Sequence, residues 1–304
     1  LAGLGWAVWL VFRRLKTKRP ETLLQSPTSS LIIVLTWVVP YFVITGTFYV
    51  KFMRYWQPIT PFLLLFGAAM VTSLSRRWRR VAGGVAAVTL ASTALYAFSF
   101  VNLYSQPHPW IEASRWIYAN VRPGTLILSE QWDDSLPSSM WIDGRYRRQS
   151  EYPNAELTWQ TGIGAKDDVA KLTANLELLS EAEYVTIVSN RVYGVAPRLP
   201  EKYPLSSQYH QLLFDGSLGY EVVAVYGRFP HLFGLYLKPD TFSWPGLTPP
   251  AAVADYLADR PGLNWGRADE SFIAYDQPLV MIFRNTAGKT AEEMEQYFAL
   301  EPDP

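Results

Sequence analysis

The stretch YVKFMRYWQPITPF, residues 49–62, sets two cations, Lys51 and Arg54, three positions apart between two long apolar runs, with no acid beside them. Residues of these types have two uses at the end of a membrane helix. They snorkel, laying the stem along apolar surface and the charge among headgroups, with Tyr49, Tyr55 and Trp56 as interfacial aromatics. Or they hold a phosphate or pyrophosphate carried on a lipid, through charge-assisted hydrogen bonds. A second set of reactive groups lies in GTLILSEQWDD, where Glu130, Asp133 and Asp134 follow an apolar strand. α/β sheets commonly hold ligands at that end of a strand, and paired acids there suit sugar hydroxyls or a divalent cation. Trp132, Asp133 and Asp134 are therefore candidate contacts for sugar or acceptor groups, the indole stacking on a sugar face. The same acids equally suit a solvated loop in which Asp caps a turn or a helix.

Little else in the chain suggests reactive chemistry. There is no cysteine, which excludes disulfides, thiolate nucleophiles and zinc-thiolate sites. His108, His210 and His231 share no metal-ligand spacing, so each is expected to be a surface or core histidine and no metal site is expected. No phosphate-binding glycine loop or dinucleotide fingerprint is present, and no cofactor is called for. Trp110, Trp116, Trp132, Trp141 and Trp159 crowd one stretch of the sequence; core positions, sugar platforms and interfacial anchors are all open to them.

The elements that must position these groups emerge from an uneven charge distribution. The 304 residues carry no net charge, yet residues 1–103 hold eleven Lys/Arg against one acid, Glu21, a net of +10. The remainder holds sixteen Lys/Arg against twenty-six Asp/Glu, a net of −10. A basic segment interrupted by apolar runs points to a membrane rather than to nucleic acid. The runs 31–50, 57–74 and 81–101 contain no Asp, Glu, Lys or Arg, and each approaches the ~20 residues that cross a bilayer. Residues 1–13 read as the end of a further helix, with cations after the apolar stretch, the reverse of a signal peptide. The chain is accordingly expected to be the C-terminal part of a longer membrane protein. The basic clusters 13–19 and 76–80 belong on the cytoplasmic side, which leaves 51–56 and 104–304 outside.

From Tyr104 onward the texture is that of a water-exposed α/β domain. Helical spacing in 110–121, a turn at Arg122-Pro123-Gly124 and a strand over 125–130 form one unit. Helices over 167–182 and 206–216 alternate with strands over 184–190 and 220–229. SFIAYD and LVMIFRN suggest a closing hairpin, and the proline-rich 238–250 a surface loop or linker.

KFMRYWQPITPFLLLFGAAM resembles the motif K-F/L-x-R/T-Y-x-L-P-x-x-P that precedes a late transmembrane helix in glycosyltransferase family 39, the bacterial relatives of protein O-mannosyltransferases and aminoarabinose transferases. Lys51, Arg54, Tyr55, Pro58 and Pro61 match; Gln57 stands where many relatives carry Leu. ASRWIYANVRPGTLILSEQWDDSLP and ADESFIAYDQPLVMIF are also similar to the C-terminal region of large members. The resemblance implies a multi-pass helical membrane region of the GT-C type, here its last helices within 1–103, followed by an extracytoplasmic α/β domain, 104–304. It implies transfer of a sugar from a polyprenyl-phosphate donor to a protein or glycan acceptor at the outer face. Lys51, Arg54 and Tyr55 would contact the lipid phosphate. The carboxylate base of the family lies in an outer loop nearer the N-terminus, so no catalytic residue is assigned in this chain. Two other readings stay open: a noncatalytic membrane-anchored binding module, and an accessory subunit of a larger membrane complex.

Overall fold

A computed structural model describes residues 1–17, 27–48, 52–159 and 167–299. Lys51 and residues 18–26, which hold part of the first basic cluster, lie outside the described residues. The chain divides into two units, Leu1–Tyr96 and Ala97–Pro304.

The first unit is helical: α1 (Ala2–Thr17), α2 (Pro27–Thr47), α3 (Thr60–Ser75) and most of α4 (Arg79–Val101). Three helical segments beginning at Ser29, Met53 and Arg79 are long and apolar enough to cross a membrane. Only 17, 11 and 6 % of their apolar windows is buried within the chain, so their surfaces need lipid or other polypeptide to cover them. A narrow core of Ala7, Leu35, Val38, Ile59 and Phe66 ties α1, α2 and α3 together. At Gly3 the approach is so close that a Cβ would lie 2.5 Å from the Gly67 nitrogen, the small-residue contact by which membrane helices pack. Pro40 sits inside α2, whereas Pro61 falls in the first turn of α3, where its missing N–H costs nothing.

The second unit is an α/β domain. Its five-stranded sheet has the order β4-β1-β5-β10-β6, built from β1 (Ile127–Glu130), β4 (Asn154–Leu157), β5 (Tyr184–Ile187), β6 (Tyr220–Gly227) and β10 (Leu279–Asn285). Strands β4, β1 and β5 run parallel, and β10 is antiparallel to both neighbours. One face packs on α5 (Pro109–Asn120) through Ala113, Ile117, Ile127, Val280 and Ile282. The other carries α6 (Val169–Glu181), α7 (Pro204–Phe214), α8 (Ala251–Ala258) and α9 (Ala291–Glu295) over Leu128, Val185, Met281 and Phe283. Asp168 caps α6 by accepting from the Lys171 N–H. Asp167 holds the start of α7, accepting from the Leu205 and Ser206 N–H groups and the Ser206 hydroxyl.

Two small sheets complete the unit. Strands β2 (Met140–Ile142) and β3 (Arg145–Arg147) form a hairpin, and β7 (His231–Leu232), β8 (Leu235–Lys238) and β9 (Gly262–Asn264) a second sheet. Gly262 is obligatory in it, because a Cβ there would meet the Tyr236 carbonyl oxygen at 2.0 Å.

The closing hairpin expected from SFIAYD and LVMIFRN does not form. Phe272–Asp276 is a single π-helical turn, and β10 runs through the sheet interior between β5 and β6. Its first five residues, Leu279 to Phe283, are all buried, the mark of a central strand covered on both faces. SFIAYD is a short apolar run, which periodicity alone cannot assign to strand or helix.

Candidate functional site

Two places gather the groups singled out above, one in each unit. In the first unit, a 3₁₀ turn over Met53–Ile59 links the α2 side to α3. Arg54 is exposed, its guanidinium 4.2 Å over the Phe52 ring and 5.8 Å from the Tyr55 ring centre. Among the described residues no acid pairs with it; the sole acid of residues 1–103, Glu21, is not described. The turn is latched to α2 by the Tyr41 hydroxyl, which donates to the Tyr55 carbonyl at 2.8 Å, and by an edge-on contact of Phe42 with Trp56 at 4.9 Å. An exposed cation resting on an aromatic ring, on a backbone fixed from a neighbouring helix, is ready to bind an anion with little loss of side-chain freedom.

In the second unit, the loops leaving β1 and β5 part in opposite directions. β1 leads to β4 on one side, and β5 leads towards β6 and β10 on the other. The C-terminal ends of those two strands thus form a topological switch point, where open α/β sheets place ligands. Asp133 bridges it. Its carboxylate accepts from the Val188 and Ser189 N–H groups at 3.2 and 3.1 Å and from the Ser189 hydroxyl at 2.5 Å. Burial pushes this carboxyl up to about 7, against the pull of Ser189, Val188 and Arg191 and with a smaller push from Glu130.

Arg191, two residues beyond Ser189, spans the rim. It donates to the Trp132 carbonyl and to the Tyr275 hydroxyl, lies 4.9 Å over the Tyr275 ring, and pairs with Glu270 at 3.5 Å. Trp132 takes a left-handed backbone, φ +65°, and the residue is 57 % exposed. A bulky residue in that region is strained, and such strain gathers at ligand-binding sites. Of the three predicted contacts here, Trp132 presents its indole at the rim. Asp133 is turned inwards as a clamp between strands, and Asp134 is exposed. The solvated-loop expectation therefore fits Asp134 and fails for Asp133 and Glu130.

Beneath the rim the structure reveals a pairing that the sequence reading missed. Glu130 and His210 are both fully buried, and Glu130 Oε1 lies 2.9 Å from His210 Nε2. Glu130 Oε2, His210 Nδ1, Trp159 Nε1 and the Tyr193 and Tyr209 hydroxyls close no hydrogen bond among the described residues. Tyr209 approaches Glu130 and Trp159, and Tyr193 approaches Thr241, without reaching ordinary hydrogen-bond geometry. Burial raises both phenols well above their usual range. The signal for His210 was present: it shares a helix face with Leu213 and Phe214, three and four residues on. Glu130 ends a strand that is buried at every position.

The remaining histidines have structural partners. His108 caps α5, accepting from the Trp110 N–H and donating from Nε2 to the Tyr275 carbonyl. His231 interacts with Asn102 and stacks on Tyr236. The tryptophans separate: Trp159 is buried against Tyr209, Trp110 donates to the Val188 carbonyl, Trp116 lies edge-on to Tyr184, and Trp132 and Trp141 are exposed. No known protein family, curated protein or solved structure matches this chain.

Proposed function

We propose that the chain is the C-terminal portion of an integral-membrane glycosyltransferase that moves a sugar from a polyprenyl-phosphate donor to an acceptor at the outer face of the membrane. In this reading Lys51, Arg54 and Tyr55 contact the donor phosphate, with 13–19 and 76–80 cytoplasmic and 51–56 and 104–304 outside. The observation that carries it is Arg54, an exposed guanidinium without an acidic partner among the described residues, held on a latched turn at the start of an apolar helix. Such a group stabilises a phosphate leaving with negative charge. Replacing Lys51 and Arg54 together by Gln in the full-length protein is expected to cut sugar transfer about 100-fold or more, since each charge-assisted bond contributes ~1.5–3 kcal/mol. Membrane insertion should persist. Unaltered transfer would overturn the assignment.

The exposed Trp132, with Arg191 bridging its carbonyl to the Tyr275 hydroxyl, favours a second reading, a membrane-anchored module whose α/β domain binds glycan. It predicts that Trp132→Ala abolishes glycan binding while the double Gln variant leaves that binding intact. In the transferase reading the crevice receives the acceptor, and Trp132→Ala raises KM for acceptor more than it lowers kcat.

A further inference from the structure

Among the described residues, two tight hairpins share the sign of φ at both central positions and differ in chemistry. In each, both central residues have positive φ: Asp143 and Gly144 at +48° and +78° between β2 and β3, Phe233 and Gly234 at +52° and +80° between β7 and β8. Such type I′ turns favour Asn-Gly or Asp-Gly, because short polar side chains tolerate the left-handed region. The first hairpin follows that rule. The second puts a phenylalanine at the strained position and leaves it 98 % exposed, with Leu235 beside it half exposed. In water this arrangement combines backbone strain with an uncovered aromatic ring, and neither is compensated.

The hairpin's attachment identifies what covers it. Asn102, the first residue after α4, gives both amide hydrogens to His231 of β7, one to Nε2 at 2.9 Å and one to the carbonyl at 3.1 Å. His231 Nδ1 in turn donates to the Phe229 carbonyl, which leaves Nε2 as the acceptor. The tip is thus two residues from the point where the apolar helix ends. Val101 and Tyr104 at that end are themselves exposed.

We infer that the β7–β8 hairpin is a membrane-interfacial anchor, its Phe233 and Leu235 inserted among the lipids around the outer end of α4. This rests on Arg79–Val101 crossing the bilayer, and it adds a second, non-helical attachment of the α/β domain to the membrane surface. Aromatic and leucine side chains are the usual residues at such depths.

The absence of cysteine from the sequence makes the test direct. Single cysteines at Phe233→Cys, Leu235→Cys, Asp143→Cys and Val88→Cys in the full chain, nitroxide-labelled and reconstituted into phosphatidylcholine vesicles, are compared for collision with oxygen and with a water-soluble nickel chelate. Labels at 233 and 235 are expected to favour oxygen several-fold over the label at 143, and to approach the label at 88 in mid-helix. Nickel accessibility at 233 equal to that at 143 would overturn the anchor. Shielding from both reagents would overturn it too, by showing that polypeptide covers the tip. A lipid reading at 88 alongside an aqueous one at 233 sinks the anchor alone, whereas an aqueous reading at 88 removes the spanning helix as well.

Discussion

The two units use apolar side chains in opposite ways. In the α/β domain a residue such as Phe283 is closed on every side, stacked on Phe214 with ring centres 6.0 Å apart. In α3 a residue such as Leu64 is 70 % exposed although its helix is strongly apolar. Composition alone therefore does not locate the core. What distinguishes the units is whether the chain supplies the covering surface itself or leaves it to lipid or other polypeptide, and the two kinds of apolar residue should answer differently to the same truncation.

Phe283→Ala should give the largest effect, a loss of about 3–5 kcal/mol of α/β-domain stability, read as a lowered unfolding midpoint by near-ultraviolet circular dichroism in detergent. If the loss is under 1 kcal/mol, the domain is not close-packed as described. In the helical unit the comparable weak point is the contact of α1 with α3. Gly3→Leu should cost about 1–3 kcal/mol through overpacking, measured as earlier thermal aggregation of the solubilised protein, while Gly5→Leu, where a Cβ meets nothing within 4 Å, should be silent.

A third prediction separates the units by pH. Asp133 titrates near 7 when folded and near 3.8 when unfolded, so between those values the folded state retains a proton that the unfolded state releases. Stability of the α/β domain should then fall as pH rises from about 4 to 7 and level off above. Asp133→Asn, which keeps the shape without the charge, should flatten that slope, and an unchanged profile would remove Asp133 as its source. The smallest effect belongs to Leu64→Ala, under about 0.5 kcal/mol in the assay used for Phe283. A larger loss would mean that polypeptide rather than lipid covers α3.

The sequence disclosed the features that depend on local runs. Uncharged stretches of 18 or more residues marked the three long helices, and 110–121 and 167–182 announced their helices by apolar spacing. It concealed what depends on sequence separation. The pairing of Glu130 with His210 joins residues 80 apart, and the bridge from Arg191 to Tyr275 joins residues 84 apart. Neighbours in sequence usually pair, which favours SFIAYD as the partner of β10, whereas its actual partners, β5 and β6, lie far upstream. Asp143-Gly144 is by contrast a local turn signal, and it does form the tip of a two-residue hairpin.

The position of β10 also orders the domain's assembly in time. Its residues 279–285 leave the ribosome after both β5 and β6, yet they fill the gap between them. Until they arrive, those two strands expose hydrogen-bonding edges to any passing chain. The α/β domain thus cannot close its sheet until β10 is made, and a chain cut short before Leu279 would emerge with two strand edges open to aggregation.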